Sequence, residues 1–170
     1  MTLITEVGRL PKSPAIYALC GGQGRHIYIA YVGMADDLRR RIVQHLVTRD
    51  SSIATRASAV GLNSDLVTQV RWWEHERFAA RTSLEAAELV AFECLNPALR
   101  SRGGISKQAA VLSRRQSFKD EMALLFDSHP TGRLLLPNIE AAMRRISALE
   151  EQVSALIDAT RRKLNQETSR

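Results

Sequence analysis

The sequence contains few cysteines and aromatic residues, and it has no long apolar run. Cys20 and Cys94 each lack a CxxC partner, so neither a zinc site nor a disulfide framework can be argued from them. No apolar run approaches the ~18 residues of a membrane span, and the N-terminus lacks the apolar core of a signal peptide. We therefore expect a cytoplasmic protein in a reducing compartment, with both cysteines serving as small buried apolar residues.

The sequence also lacks features that would identify a target. It contains no internal repeat, no low-complexity tract, and no zinc finger or helix-hairpin-helix that would read DNA. The net charge is +6 without a basic tail: 13 Lys and Arg face 10 Asp and Glu in residues 1–104, 5 face 3 in 105–136, and 6 face 5 in 137–170. This balance fits a polyanionic partner, and it fits a plain compositional bias equally well.

Strand and helix patterns alternate in the first hundred residues. Two apolar runs, 15–20 and 26–33, flank a Gly-rich gap and predict a β-hairpin. The gap lacks the Gly-Lys-Ser/Thr ending of a phosphate loop, so we interpret it as a turn. The patterns that follow predict a helix at 36–47, a third strand at 66–74 and a helix at 82–95. The expected fold class is α+β, a small three-stranded antiparallel sheet flanked by helices.

Residues that start and stop helices mark both predicted helices. Asp36 or Asp37 can accept hydrogen bonds from the first backbone N–H groups of the first helix, and Thr82 or Ser83 can do so for the second. Pro97 is expected to end the second helix, because its ring cannot continue the hydrogen-bond ladder.

The character of the chain changes after Gly104. Residues 105–136 contain amphipathic helical patterns and are interpreted as a helical linker between the domain at 1–104 and a long helix at 137–170. Apolar residues of that helix alternate three and four apart and predict a C-terminal coiled coil over 139–160: Ile139, Ala142, Ile146, Leu149, Val153, Leu156 and Thr160. Such a coiled coil would make a homodimer; alternatively, the helix folds back on residues 105–127 of its own chain.

The residues that carry chemistry lie in a spaced series. Ala15-Ile16-Tyr17 is followed by Tyr31-Val32-Gly33, and then by Asp37-Leu38, Arg41 and His45, with Glu88 nine residues before Pro97. This ordered set resembles the GIY-YIG nuclease superfamily, and the resemblance covers residues 15–100. Each piece alone is weak, whereas the set at these spacings is fairly specific.

The resemblance implies a DNA endonuclease that uses a divalent metal, magnesium or manganese. It places Tyr17, Tyr31, Arg41, His45 and Glu88 in the catalytic site, with Glu88 as the metal ligand and one tyrosine as general base or water-positioning group. The chemistry agrees, since an arginine fork suits phosphate and a carboxylate suits a hard cation. On the helix predicted at 82–95, Glu85 and Glu93 are alternatives to Glu88 as the metal ligand.

The sequence departs from the family motif at two positions, and several candidate residues also have a purely structural interpretation. Ala15 replaces the first glycine of the family motif, and Arg100 stands where several relatives carry an asparagine soon after the proline. Without the motif, the two tyrosines would be packing residues and Arg41 part of a solvated charge run, and Trp72 and Trp73 are interpreted as packing residues.

The functional alternatives are a catalytically weak nucleic-acid-binding or scaffolding protein that acts through its coiled coil, and a pure coiled-coil adaptor. RNA is an alternative substrate.

Overall fold

The computed structural model describes residues 3–22, 25–48, 63–99, 104–136, 147, 149–154, 156 and 157. The chain divides into two compact units, residues 1–137 and residues 138–170. The larger unit holds all of the numbered helices and strands. In the smaller unit the described residues are helical. None of the described helices has both the length and the apolar character needed to cross a membrane.

A four-stranded antiparallel sheet organises the larger unit. Its strands lie side by side in the order β2-β1-β3-β4. In chain order they are β1 (Ala15–Gly21), β2 (Tyr28–Ala35), β3 (Val67–Trp73) and β4 (Gly132–Leu135). The predicted hairpin and the predicted third strand are thus confirmed. Strand β1 lies in the interior of the sheet and is buried along its whole length.

Five α-helices accompany the sheet among the described residues of this unit. They are α1 (Leu3–Val7), α2 (Leu38–Leu46), α3 (Arg81–Leu95), α4 (Lys107–Leu112) and α5 (Gln116–Asp127). Side chains alternate across a strand, so successive residues of β1 enter two different cores. Tyr17 and Leu19 pack with Leu38 and Ile42 of α2. The even-numbered residues of β1 pack with α3 and α5.

The expected count of three strands is corrected by β4. This strand pairs with β3, with Leu134 opposite Val70, and extends the sheet at that edge. Four residues are too few for an alternating pattern to be distinctive in the sequence. Gly132 also lies against the indole of Trp72, where an added Cβ would collide with the ring. The strand therefore depends on a tertiary neighbour that local sequence patterns do not reveal.

The predicted start of the second helix and its predicted capping residues were wrong, whereas the cap of the first helix and the end of the second are confirmed. Asp37 caps α2, accepting a hydrogen bond from Arg40 N at 2.9 Å, as expected. Helix α3 begins at Arg81 after Ala80, without a side-chain cap, so neither Thr82 nor Ser83 has the predicted role. A contact within the first turns, Arg81 Nε to Glu85 Oε1 at 3.0 Å, supports the earlier start. The helix ends as predicted, with Asn96 in the left-handed region before Pro97.

The two cysteines differ in their surroundings. Cys20 is buried in the sheet, as expected, but Cys94 is exposed, contrary to expectation. Ala87, Val90 and Ala91 form the buried side of α3. Cys94 is exposed together with its neighbour Glu93, on the side of the helix turned away from the core.

Residues 105–136 belong to the same compact unit as residues 1–104, rather than forming a separate linker. Helices α4 and α5 both contact α3, and β4 completes the sheet. Phe118, Met122 and Phe126 of α5 are buried in the same core as Ile16 and Val32. The amphipathic pattern of this region therefore reflects burial against α3 and the sheet.

The described part of the predicted coiled coil is helical and exposed. Leu149, Val153 and Leu156 are 52%, 54% and 66% exposed in the single chain. The remaining predicted seam positions, Ile139, Ala142, Ile146 and Thr160, lie outside the described residues, as does Arg100.

We predict that Phe126→Ala destabilises the larger unit by about 3–5 kcal/mol, the usual cost of truncating a buried phenylalanine. Phe126 is 4% exposed and its ring meets that of Trp73 edge-on, with the centroids 5.7 Å apart. The free energy of unfolding, measured in urea, gives the comparison with wild type. Leu124→Ala on the same helix is the control, because Leu124 is 74% exposed. Equal stability of the two variants would contradict the role of α5 in the core.

Candidate active site

Tyr17 and Tyr31 are diagonal neighbours on paired strands. In the β1–β2 register Tyr17 lies opposite Gly33, and Tyr31 is two residues from Gly33 on β2. Both side chains therefore fall on one face of the sheet, and their ring centroids are 6.1 Å apart. The hairpin thus brings together two of the predicted site residues.

Gly33 leaves the space that this pair occupies. A Cβ added at Gly33 would lie 2.6 Å from Tyr17 Oη and 2.8 Å from Tyr31 Cε1. Such distances are shorter than ordinary van der Waals contact, so any larger residue would displace one ring or the other. The Tyr-Val-Gly sequence therefore has a packing requirement that is independent of any resemblance.

Helix α2 places His45 behind the tyrosines. Tyr17 Oη and His45 Nε2 lie 2.6 Å apart, a short hydrogen bond between two side chains that are both completely buried. The His45 ring centroid is 5.7 Å from that of each tyrosine. Burial and, to a smaller extent, the nearby Arg41 lower the pKa of His45 to about 4. The imidazole is therefore neutral at neutral pH, and its unprotonated nitrogen can accept a hydrogen bond from the Tyr17 hydroxyl.

One cleft of about 320 Å³ collects the other three predicted residues. Tyr31 from β2, Arg41 from α2 and Glu88 from α3 all line it. Tyr17 and His45 do not line the cleft, because they lie buried beneath it. The structure thus brings the five predicted residues together in two layers, with three at the cleft and two supporting them.

Arg41 lies one helical turn before His45 and is half-buried at the cleft. Its Nη1 donates to Gln44 Oε1 at 3.3 Å, whereas its buried Nε has no hydrogen-bond partner among the described residues. The guanidinium keeps its charge, since the pKa of Arg41 is raised: its burial opposes this, but the nearby tyrosines and Glu88 outweigh it. Arg41 therefore presents a permanent cation with donors that a ligand can occupy.

Both tyrosine hydroxyls keep their protons at neutral pH. Burial raises the pKa of Tyr31 to about 12, with a further contribution from the negative charge of Glu88, while Arg41 acts in the opposite direction. Burial also raises the pKa of Tyr17 well above its ordinary value. Tyr31, the tyrosine at the cleft, is thus a neutral hydroxyl that can both donate and accept a hydrogen bond.

Glu88 differs in its surroundings from Glu85 and Glu93, the two alternative carboxylates on α3. Glu85 accepts hydrogen bonds from Arg81 Nε at 3.0 Å and from the backbone N of Ser106 at 3.2 Å. Glu93 is exposed and pairs with Lys119 at 2.7 Å. Glu88 is 3% exposed and, unlike the other two, lines the cleft.

The carboxylates at the cleft fit a magnesium-type ion rather than a closed metal cage. Asp36 pairs with Arg81 at 2.7 Å, Asp37 caps α2, and Glu88 is the buried carboxylate of the lining. Among the described residues, no three His, Cys, Asp or Glu side chains form a metal-binding group. Magnesium often uses only one or two protein carboxylates and completes its shell with water and substrate phosphate, so this donor set fits it.

Gln44 and Arg81 also line this cleft, although no sequence motif singles them out. Gln44 contacts Arg41 from three residues along α2, a spacing that could have revealed it. Arg81 bridges Asp36 and Glu85 at the rim of the cleft, with distances of 2.7 and 3.0 Å. The pairing of Arg81 with Asp36 spans 45 positions of the chain and leaves no local signal.

We predict that stability depends on pH through His45. The folded pKa of about 4 lies below the ordinary value near 6.5, so folding favours the neutral ring. This contribution is complete above pH 6.5 and is lost as the pH falls towards 4, by an amount on the order of 3 kcal/mol. Urea unfolding at pH 7 and pH 4.5 should show a larger loss for wild type than for His45→Gln, which keeps an acceptor but does not titrate. Parallel losses in the two proteins would contradict the assignment.

Comparisons with known proteins found no relative of this chain. No family model, no curated protein and no solved structure matches the chain. The likeness to GIY-YIG nucleases therefore depends on the sequence motif within residues 15–100 and stays a prediction.

Proposed function

We propose that this protein is a metal-dependent endonuclease that hydrolyses phosphodiester bonds in DNA, with a GIY-YIG-like catalytic site. One observation carries the proposal: Tyr31, Arg41 and Glu88, which come from three different elements, line a single cleft. Hydrolysis of a phosphodiester requires a positioned water, neutralisation of the phosphoryl oxygens and stabilisation of the leaving group. The three side chains provide groups suited to these tasks.

Arg41 binds the phosphate in this proposal. Its guanidinium is permanently charged, half-buried and held on one side by Gln44, so little motion is needed before it donates to a phosphoryl oxygen. A planar fork can donate two parallel hydrogen bonds, which lysine cannot match. In a partly buried cleft such bonds are stronger than in water, and they act on the charge that develops during the reaction.

Glu88 holds the divalent ion in this proposal. A magnesium or manganese ion, when bound, supplies a Lewis acid that neutralises phosphoryl charge and lowers the pKa of bound water. Glu88 contributes the carboxylate for binding; it is almost completely buried and lines the same cleft as Arg41 and Tyr31.

Tyr31 positions the attacking water. Its hydroxyl is neutral at neutral pH because its pKa is about 12, so it holds water by hydrogen bonding rather than removing a proton as a phenolate. Tyr17 and His45 support this group from below, since their hydrogen bond fixes the ring against which Tyr31 packs.

The second part of the proposal concerns assembly. Leu149, Val153 and Leu156 form an exposed apolar stripe on a helix, and water does not favour such a stripe. Branched residues at one seam position with leucine at the other suit a parallel two-stranded coiled coil. Pairing two nuclease domains in this way would allow both strands of a duplex to be cut. Assembly through this helix is also the feature that favours the alternative function, a nucleic-acid-binding scaffold with weak catalysis.

We predict that Glu88→Gln abolishes magnesium-dependent nicking of plasmid DNA while the protein stays folded. The amide preserves the size of the side chain but removes the charge that binds the cation. Nicking rates with and without magnesium, together with circular dichroism, test this directly. Glu85→Gln is the matched control, because Glu85 is held by Arg81 and Ser106 outside the cleft. Loss of nicking in the Glu85 variant alone would move the metal site to Glu85.

We also predict that the full chain is a dimer at tens of micromolar and that Leu149→Lys with Leu156→Lys makes it a monomer. The two lysines place charge in the predicted seam. Light scattering coupled to size-exclusion chromatography measures the mass. Glu151→Lys with Ser154→Lys is the control, since these exposed positions lie outside the seam. A monomeric wild type would end the coiled-coil proposal.

A further inference from the structure

A second and larger cavity lies beside the cleft. It measures about 900 Å³ and is formed by the C-terminal half of α3, the segment that leads into α4, and the start of α5. We call it the helical groove and define it by six lining residues: Leu89, Phe92, Ile105, Lys107, Arg114 and Lys119. None of these residues has a part in the proposed catalytic chemistry.

The helical groove carries an excess of positive charge. Three cations line it, against the single carboxylate of Glu93. Glu93 already pairs with Lys119 at 2.7 Å. Lys107 and Arg114 are exposed, and neither has an ion-pair partner in the described part of the chain. The groove therefore presents two cations that a negatively charged ligand can bind.

The helical groove adjoins the catalytic cleft. Gly104 lines the cleft, and the next three residues, 105–107, line the groove. Glu88 and Leu89, consecutive on α3, line the cleft and the groove respectively. The backbone N of Ser106 donates to Glu85, which ties this connecting segment to α3 between the two cavities. A ligand that leaves the cleft past Gly104 therefore reaches the groove at Ile105 and Ser106, and Lys107 is the first cation along this segment.

We propose that the helical groove binds the phosphodiester backbone of DNA next to the bond that is cut, an inference that rests on the proposed nuclease function. An extended polyanion fits the arrangement, because one phosphate would lie at Arg41 while others reach Lys107 and Arg114. The apolar side chains of Leu89 and Phe92 offer contact to the sugars between phosphates. Such contacts position a strand without reading its sequence, which agrees with the absence of a recognisable DNA-reading module in the sequence.

The salt dependence of DNA binding tests this proposal. Binding of the full chain to a fluorescent duplex is measured by anisotropy in EDTA, so that no cleavage occurs, over a series of salt concentrations. Each lost phosphate contact should make the slope of log K against log salt less negative by about 0.9. Lys107→Ala with Arg114→Ala is therefore expected to change the slope by roughly 1.8. Lys12→Ala with Arg133→Ala removes two exposed cations that line neither cavity and should leave the slope unchanged.

The outcomes separate this proposal from the nuclease proposal. An unchanged slope in the Lys107 and Arg114 variant would overturn the groove proposal, whether or not the wild type nicks DNA with magnesium. Absence of duplex binding by the wild type at low salt would also overturn it, and would favour an acidic protein segment as the occupant. A wild type that binds DNA through Lys107 and Arg114 but does not nick it would support the groove and overturn the nuclease proposal.

Discussion

The hydrogen bond between Tyr17 and His45 is the contact on which the candidate site depends. It joins an interior strand of the sheet to α2 in a region from which water is excluded. Leaving either polar atom without a partner there would cost on the order of 1–3 kcal/mol, so the bond specifies how α2 lies against the strand. Arg41 precedes His45 by one helical turn, and its position at the cleft follows from that placement. Gly33 completes the arrangement, because only a residue without a side chain leaves room for both tyrosine rings.

The sequence predicts the parts of the site that local patterns control. Two apolar runs across a Gly-rich gap mark the hairpin, Asp37 marks the start of α2, and Pro97 marks the end of α3. The resemblance to the GIY-YIG motif selects the five candidate residues, and the structure brings these five together. What spacing does not reveal is the division into layers. His45 and Arg41 are four residues apart on one helix, yet burial makes one a support beneath the tyrosines and the other a side chain of the cleft.

Apart from Gln44, whose contact with Arg41 is local, the features that the sequence did not reveal arise from contacts between distant parts of the chain. Strand β4 forms because Gly132 fits against Trp72, sixty positions earlier. Helices α4 and α5 join the core because α3 and the sheet offer an apolar surface, which an amphipathic pattern does not identify by itself. Arg81 reaches the rim of the cleft because Asp36 lies across from it. In each case the local sequence pattern is too weak to predict where the residues lie, and their position depends on the distant residues that they contact.

In the proposed function, the charges at the cleft explain why the site needs more than its own side chains to hold DNA. Three arginines, Arg40, Arg41 and Arg81, line it together with three carboxylates, Asp36, Asp37 and Glu88. The lining is therefore balanced, and a phosphodiester that enters brings an excess of negative charge. A divalent ion at Glu88 would restore the balance at the reacting phosphate. The neighbouring phosphates would need cations as well, and Lys107 and Arg114 of the helical groove could provide them. In the proposed function, residues 105–136 thus have two roles. They complete the core, and they place positive charge next to a cleft whose own positive and negative side chains are equal in number.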